Sequence, residues 1–580
     1  MILQSLHEYY QRKKEAGTIA PDGLIQKKID FLIVLDASGR FSSLECLQEK
    51  ERNRLRGKDY YVPAIGKQAE KHDNTSKDAN LLWDKAEFVL GVGKNGKRKL
   101  DSFIETIEKY FPLPPSEVRS ILNFLKNGKT NRDFFLPLLD HPEHGELIAT
   151  GSSMISFRLL GTNRPVCCEP FVETAIQELK GEDKVRGTCL VTGAADSDIE
   201  LTHLVIKGVK GAQSSGANLV SFNKESFLSH GWAQSQNAPV SKRAAVAYVK
   251  ALNHLVSSGL NGIRVADTTT VFWSQKESMP GCYDFEQDFS SFFADPPKDD
   301  PDRGVRAIKA LYEALHTGRL PVDEGDRFFV LGLAPNAARI AVRFWRTGTT
   351  GRFAEKIRGH FDDLEIVRGH KDPEYLTLNQ ILRATVLEYK MDNVPPNLAG
   401  SVVESILDGT PYPTTLLHQC IRRIRAERHV TRARAAILKA CVNRLHRHNK
   451  PSIKEEMEVS LDRTNTSSGY RLGRIFAVLE KIQEEASPGI NATIRDRFYG
   501  AASSSPVAVF PQLLKLKNHH LAKLQSTGRK VNLEKELGEI FDGVQDFPPH
   551  LSMEEQARFA IGYYHQRQFF FRKSTEAKQK

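Results

Sequence analysis

Residues 207–218, KGVKGAQSSGAN, hold a set of groups suited to nucleic acid. Lys207 and Lys210 carry charge for phosphate oxygens. Gln213, Ser214, Ser215 and Asn218 carry donors and acceptors for base edges and sugars. Gly208, Gly211 and Gly216, spaced among them, free the backbone for close approach to a ligand. The same composition fits a surface hairpin between two core strands, and the residues alone leave both readings open.

Other residues invite other chemistry. Asp196, Asp198 and Glu200 alternate, so on a strand they would share a face that could hold Mg²⁺, while an ordinary acidic turn has the same composition. Cys167, Cys168, Cys189 and His203 match no standard zinc spacing. Walker, G-x-S-x-G and H-E-x-x-H motifs are absent from the sequence. The expectation is a protein that is not an enzyme, with no catalytic residues, metal or cofactor.

Basic residues recur instead. Lys67, Lys71 and Asn74 sit in a charged stretch poor in large aliphatics, Arg339, Arg343 and Arg346 could share one edge, and residues 417–447 hold Arg422, Arg423, Arg425, Arg428, Arg432, Arg434, Lys439, Arg444 and Arg447. Glu427 is the one acid in that last run. Helical spacing of its apolar positions suggests a basic face for a nucleic-acid backbone, against the alternative of a solvated surface.

The chain has 580 residues, 40% of them hydrophobic, and a formal net charge of +11. That length implies several domains at about 100–200 residues each. The charge favours an anionic partner. Seven cysteines with no CxxC pair suit a reducing compartment. Neither a secretory leader nor a membrane span is readable, so a cytoplasmic protein is expected.

Periodicity predicts helices near 3–10, 100–111, 115–126, 170–179, 241–256 and 306–316. Strands are expected at 29–35 and 40–47 around the Asp36–Gly39 turn, and at 147–150, 154–160, 188–191, 219–222, 264–266, 269–273 and 328–334. Residues 49–80 read as an exposed loop and 274–303 as a linker. Beyond 395 the pattern is helical, with five apolar helices after 457 joined by short loops. The fold class is an α+β N-terminal region of mixed sheets with helices, followed by an all-α C-terminal bundle. The expected divisions are 1–273, 274–395, 396–456 and 457–580.

Four segments carry a family resemblance: 206–217 with 219–223, which ends at Asn223; the turn 237–241; 331–339 with 343–345; and 461–465 with 470–480. On these, over nearly its whole length, the chain resembles the large subunit of the type I-C CRISPR Cascade surveillance complex. The resemblance implies a non-catalytic subunit of an RNA-guided antiviral complex that recognises a short protospacer-adjacent motif in double-stranded DNA. It further implies help in forming the R-loop and in recruiting the helicase-nuclease. The implied partners are CRISPR RNA, target duplex and displaced strand, the Cascade backbone and guide-processing subunits, and separate small-subunit copies.

Under that resemblance Gly211, Gln213, Asn218, Asn223, Gln234 and Asn237, helped by Lys67, Lys71 and Asn74, would meet the motif. Arg463, Arg471, Arg474, Lys515, Lys517 and Lys523 would line a path for displaced strand or heteroduplex. Met457 would start a separately made small subunit. The competing readings are a nonspecific nucleic-acid scaffold and a metal-dependent nuclease built on Asp196, Asp198 and Glu200.

Overall fold

The structure is a computed structural model that describes residues 1–51, 54–66, 79–178, 185–228, 230–265, 268–277, 281–320, 327–369, 372–449 and 457–579. The chain divides into two compact units, Leu3–Leu204 with Ser221–Ala251, and Val205–Val220 with Leu252–Lys580. The stretch 207–251 is thereby shared between them.

The first unit is built on a mixed four-stranded sheet in the order Phe41–Cys46, Phe31–Leu35, Met154–Leu159, Trp83–Lys85. All five residues of Phe31–Leu35 are buried, which marks it as the central strand. It pairs antiparallel with Phe41–Cys46 and parallel with Met154–Leu159. The expected hairpin is present: Asp36 Oδ1 accepts the N–H of Ser38 and of Arg40, each at 2.9 Å, and Gly39 takes φ +88°. Helices Gly96–Tyr110 and Ser116–Thr130 bring Phe103 and Phe124 onto Phe157, with ring centroids 6.4 and 6.2 Å away.

Four expectations fail in this part of the chain. Residues 49–80 are not one loop, because Glu49–Glu51 pairs with Arg54–Arg56, and Lys58–Pro63 pairs with Leu24–Ile29. Charged residues there mask a ribbon that buries Leu24, Ile29, Val62 and Pro63 and leaves its Lys58 end exposed. Residues 147–150 belong to the helix Gly145–Ala149, since so short an apolar run fits either conformation. Residues 188–191 form a turn closed by Gly193 N–H to the Cys189 carbonyl, 2.8 Å, instead of a strand. The run 219–222, where a short buried strand was expected, is likewise irregular and half-buried.

In the second unit Gly262–Val265, Thr268–Ser274, Arg327–Asn336 and Arg339–Thr349 form an antiparallel sheet in that order. Phe272, Phe328, Val330 and Phe344 join the core with helices Phe285–Phe293, Arg303–Thr317 and Thr350–Leu364. The segment expected to be a linker therefore contains a buried helix: Phe285, Phe289, Phe292 and Phe293 recur at 3–4 spacing, and Asp284 caps Gln287 N–H at 3.0 Å. Its Phe289 ring lies 4.4 Å from Phe272.

From about residue 380 to 571 the chain is helical, and helix makes up 51% of the whole. One hydrophobic core runs from Ile263 through the Arg432–Asn449 helix to Tyr564. The Ser468–Ala486 and Met553–Gln579 helices cross closely, and a Cβ at Gly473 would overlap the Phe559 carbonyl. Among the described residues no helix is long and apolar enough to cross a membrane.

Candidate nucleic-acid interface

The glycine loop is a closed, anchored element of the second unit. Ile206 and Ala217 exchange two backbone hydrogen bonds of 2.9 Å, and Gly216 N–H donates to the Gln213 carbonyl at 2.9 Å. Lys207 N–H bonds Asn253 Oδ1 at 2.8 Å, Lys210 N–H bonds Thr269 Oγ1 at 3.2 Å, and Arg264 Nη2 donates to the Gly208 carbonyl at 3.2 Å. On leaving the loop the chain runs beside the tip of the Arg327–Asn336/Arg339–Thr349 hairpin, where Asn218 N–H donates to the Ala338 carbonyl at 3.3 Å and Ile340 N–H to the Asn218 carbonyl at 3.0 Å. Two segments far apart in sequence, 206–218 and 331–340, are thereby joined.

The three glycines serve this fold. Gly208, Gly211 and Gly216 take φ of +82°, +80° and +103°, in the left-handed region that side chains disfavour. Each approaches the protein itself: a Cβ at Gly211 would lie 3.1 Å from Pro335 Cγ, and one at Gly216 2.7 Å from Val205 Cγ2. Their freedom, expected to admit a ligand, is used to close the loop. The polar side chains face outward instead, with Lys207, Lys210, Gln213, Ser214 and Ser215 exposed and Asn218 half-buried.

Arg339 and Arg343 follow on the hairpin. A register shift after Gly332 places a bulge at Arg343, which is exposed. Arg346, expected on the same basic edge, is drawn off by Asp408, at 2.9 and 2.8 Å, and by Glu404 at 2.8 Å.

In the first unit, Asn223 and Gln234 are exposed, while Asn237 Nδ2 donates to the carbonyls of Trp232 and Gln234 at 3.2 and 3.0 Å. Lys67, Lys71 and Asn74 lie outside the described residues. Arg186 sits between two of the carboxylates that a Mg²⁺ site would need, 3.6 Å from Asp196 Oδ2 and 3.3 Å from Asp198 Oδ1. Among the described residues no group of three or more His, Cys, Asp or Glu could hold a metal. His203 bonds Tyr248 Oη at 2.6 Å, and burial lowers its pKa to about 4. Cys189 Sγ accepts the Ser241 N–H at 3.2 Å, and despite burial such hydrogen bonds bring its thiol down to about 7.

The arginine-rich helices Thr414–Glu427 and Arg432–Asn449 separate into two populations. Arg422, Arg425 and Arg428 are exposed. Arg447 is exposed as well but is held by Asp363 at 2.7 Å, and the others are half-buried or buried. Arg434 is buried, donating to the Ala384 and His429 carbonyls at 2.9 and 3.0 Å, and it pairs with Glu427 at 2.5 Å. Burial raises the pKa of Glu427, but hydrogen bonds from Arg423 and Arg434 outweigh it and hold the carboxyl below its ordinary value. Arg444 meets Asp363 at 2.5 Å, and Lys439 Nζ donates to the Asp363 carbonyl at 3.0 Å. Arg432, expected at a phosphate, is half-buried against the Pro373 and Glu374 carbonyls at 2.6 and 3.1 Å, and burial lowers its pKa. Sequence reasoning missed Asp363, whose partners lie some eighty residues downstream.

A similar correction applies after residue 457. Arg474 is buried between Gln566 and Glu536, at 3.0 and 3.4 Å, and burial lowers its pKa. Arg463 is held by Glu536 and Glu539 at 2.7 and 2.5 Å, and Arg471 by the Asn465 carbonyl at 2.8 Å and the Gly543 carbonyl. These guanidiniums tie helices together; Arg474 is inside the core, while Arg463 keeps part of its side chain at the surface. Lys515 and Lys523 are exposed on the Pro506–Lys523 helix, and Lys517 is half-buried.

An α+β region carrying an anchored polar loop, followed by a helical region with exposed arginines, has a counterpart among known families. Residues 6–571 match a family of CRISPR-associated proteins, which sets the class: a Cascade-type CRISPR protein. The chain belongs to the family described as CRISPR-associated protein (Cas_Csd1). No curated protein matches it.

Proposed function

We propose that the chain is the large subunit of a type I-C Cascade complex, reading the protospacer-adjacent motif, assisting R-loop formation and offering a surface to the helicase-nuclease, without catalysis of its own. The observation that carries this reading is the anchored loop 206–218, whose backbone is fixed by its own hydrogen bonds while Lys207, Lys210, Gln213, Ser214 and Ser215 face solvent. A pre-ordered loop loses little entropy on binding. Amide donors suit the minor-groove acceptors of A·T pairs, and lysines suit the flanking phosphates. Guide pairing supplies most of the discrimination in such a complex, so a few contacts suffice for the motif.

Replacing Gln213 and Asn218 by Ala should weaken binding to a motif-bearing duplex, TTC-like by family resemblance, by roughly tenfold or more, at about 1–3 kcal/mol per good base contact. Binding to a scrambled duplex should be nearly unchanged. Equal loss on both duplexes would reduce the chain to a nonspecific scaffold. Guide-independent cleavage with Mg²⁺, lost in Asp198→Ala, would instead make it a nuclease.

The proposal includes a separate small subunit begun at Met457. Met457 is buried, and its backbone N–H and carbonyl both bond the side chain of Asn443, at 2.9 and 2.8 Å. Because helices on both sides of this point share one core, a product starting here must cover that apolar face within the assembly. Met457→Leu should abolish a shorter product from the same gene, and its persistence would exclude this start.

A further inference from the structure

Trp232 stands apart from the other tryptophans. Trp83 and Trp273 are buried and Trp345 stacks on Phe329, with centroids 5.6 Å apart and planes 5° apart, whereas Trp232 is 49% exposed. Leu228, 47% exposed, precedes it on the same irregular stretch of the first unit. A large apolar ring left in water forfeits the gain of burial, so its position needs a reason.

The backbone beneath it is tightly specified. His230 and Gln234, neither of them glycine, take φ of +54° and +47°, and Gly231 between them takes +76°. Such conformations persist where surrounding contacts over-determine them, and they cluster at functional sites. Here the contacts are Asn237 Nδ2 to the Trp232 and Gln234 carbonyls, at 3.2 and 3.0 Å, and Ala233 N–H to Gln236 Oε1 at 2.8 Å. The His230 ring meets the indole edge-on at 6.5 Å and 62°. The turn therefore holds a half-exposed indole on a fixed support.

We propose that Trp232 is a stacking platform for an unpaired nucleobase of DNA. This deepens the proposed function and rests on its nucleic-acid partner. Charge favours the occupant: residues 223–243 carry Lys224, Lys242 and Arg243 against Glu225, the segment bonded to Val240 and Ser241 adds Arg186 against Asp198 and Glu200, and the chain's net charge is +11. Exposed Asn223 and Gln234 add hydrogen-bonding groups to the same stretch. An aromatic face on a stretch that also carries basic residues is the combination that binds single strands with little sequence preference, because every base has a π-face. In this arrangement Asn237 acts as a positioning residue that fixes the turn carrying Trp232.

The test uses the full-length chain and two probes of equal length, a single-stranded oligothymidylate and its abasic counterpart, read by tryptophan emission and by affinity. The base-bearing strand should quench emission and bind more tightly than the abasic one. Trp232→Ala should lose most of the quenching and bind the base-bearing strand about 5- to 100-fold less tightly, with abasic binding unchanged. Trp232→Phe should retain most of the affinity. Equal binding of both probes by the wild-type chain overturns the stacking role while leaving phosphate contact intact, and that comparison holds even if the alanine variant fails to fold. Quenching preserved in a folded Trp232→Ala also overturns it. So does a loss confined to assembly with other Cascade subunits, which would assign the surface to a protein. If neither probe binds, the nucleic-acid reading itself fails.

Discussion

Replacing Arg444 with Met tests whether the basic run in residues 417–447 is partly structural. Arg444 Nε reaches Asp363 Oδ2 at 2.5 Å, its Nη1 donates to the Ser405 and Thr410 carbonyls at 2.8 and 3.1 Å, and its guanidinium lies 4.3 Å from the Tyr412 ring centre. Asp363 is 2% exposed. Methionine would leave that carboxylate with Arg447 alone, at 2.7 Å, and would strip a donor from two carbonyls. Breaking a buried ion pair costs about 3–5 kcal/mol, and each deprived buried acceptor about 1 kcal/mol more. Retained pairing with Arg447 offsets part of this, so the expected loss is about 3–4 kcal/mol. Urea unfolding should show it in the transition reported by Trp273 and Trp345, both in the second unit. The double variant Arg444→Met with Asp363→Leu should recover much of the loss, since removing both charges also removes the uncompensated one. By contrast, changing Arg422, Arg425 and Arg428 to Ser should alter stability little and lower the slope of log K against log salt by roughly 0.9 for each phosphate contact removed. A loss below about 1 kcal/mol for Arg444→Met, or no recovery in the double variant, would refute the argument.

Two further outcomes follow from the geometry. Gly216→Ala would place a Cβ 2.7 Å from Val205 Cγ2 at a φ of +103°, costing about 1–3 kcal/mol locally, so the Ile206 and Ala217 amides should exchange hydrogen faster while helical melting holds; unchanged exchange would show that the loop is not closed as described. Acid should destabilise the fold because burial lowers the pKa of His565 to about 3 and of His203 to about 4, and pushes His360 well below its usual value. The unfolded chain then binds more protons below pH 6.5, so their contribution is present above that pH and falls at about 1.4 kcal/mol per pH unit per histidine as pH drops toward 4. Asp84 works the other way, since burial raises it to about 7 and its contribution is lost as pH rises from about 4 to 7. Three histidines outweigh one aspartate, and an unfolding midpoint flat between pH 4 and 6.5 would contradict this.

The elements that local pattern determines were readable in advance: the Asp36 hairpin, the Gly262–Val265/Thr268–Ser274 pair, and most long helices. The roles of the basic residues were not, because a charge count along a helix does not contain its partners. Asp363 and Glu536 lie roughly sixty to eighty residues from the arginines they hold. Spacing separates the basic residues only where a helix buries one face. Every residue from Arg434 to Arg444 of the Arg432–Asn449 helix is buried, Lys439 included, so no position there is left for phosphate whatever its phase. Arg474 likewise lies in an unbroken buried run, Leu472 to Glu480. Arg422 and Arg425 each follow a buried isoleucine by one position, about 100° around the helix, and both are exposed. An arginine in phase with the apolar repeat must bring its own acceptors or carboxylate with it. On a helix with one buried face, as Thr414–Glu427, one out of phase is available to phosphate; on a helix buried all round none is, so where nucleic acid can be met depends on how much of each helix the core covers.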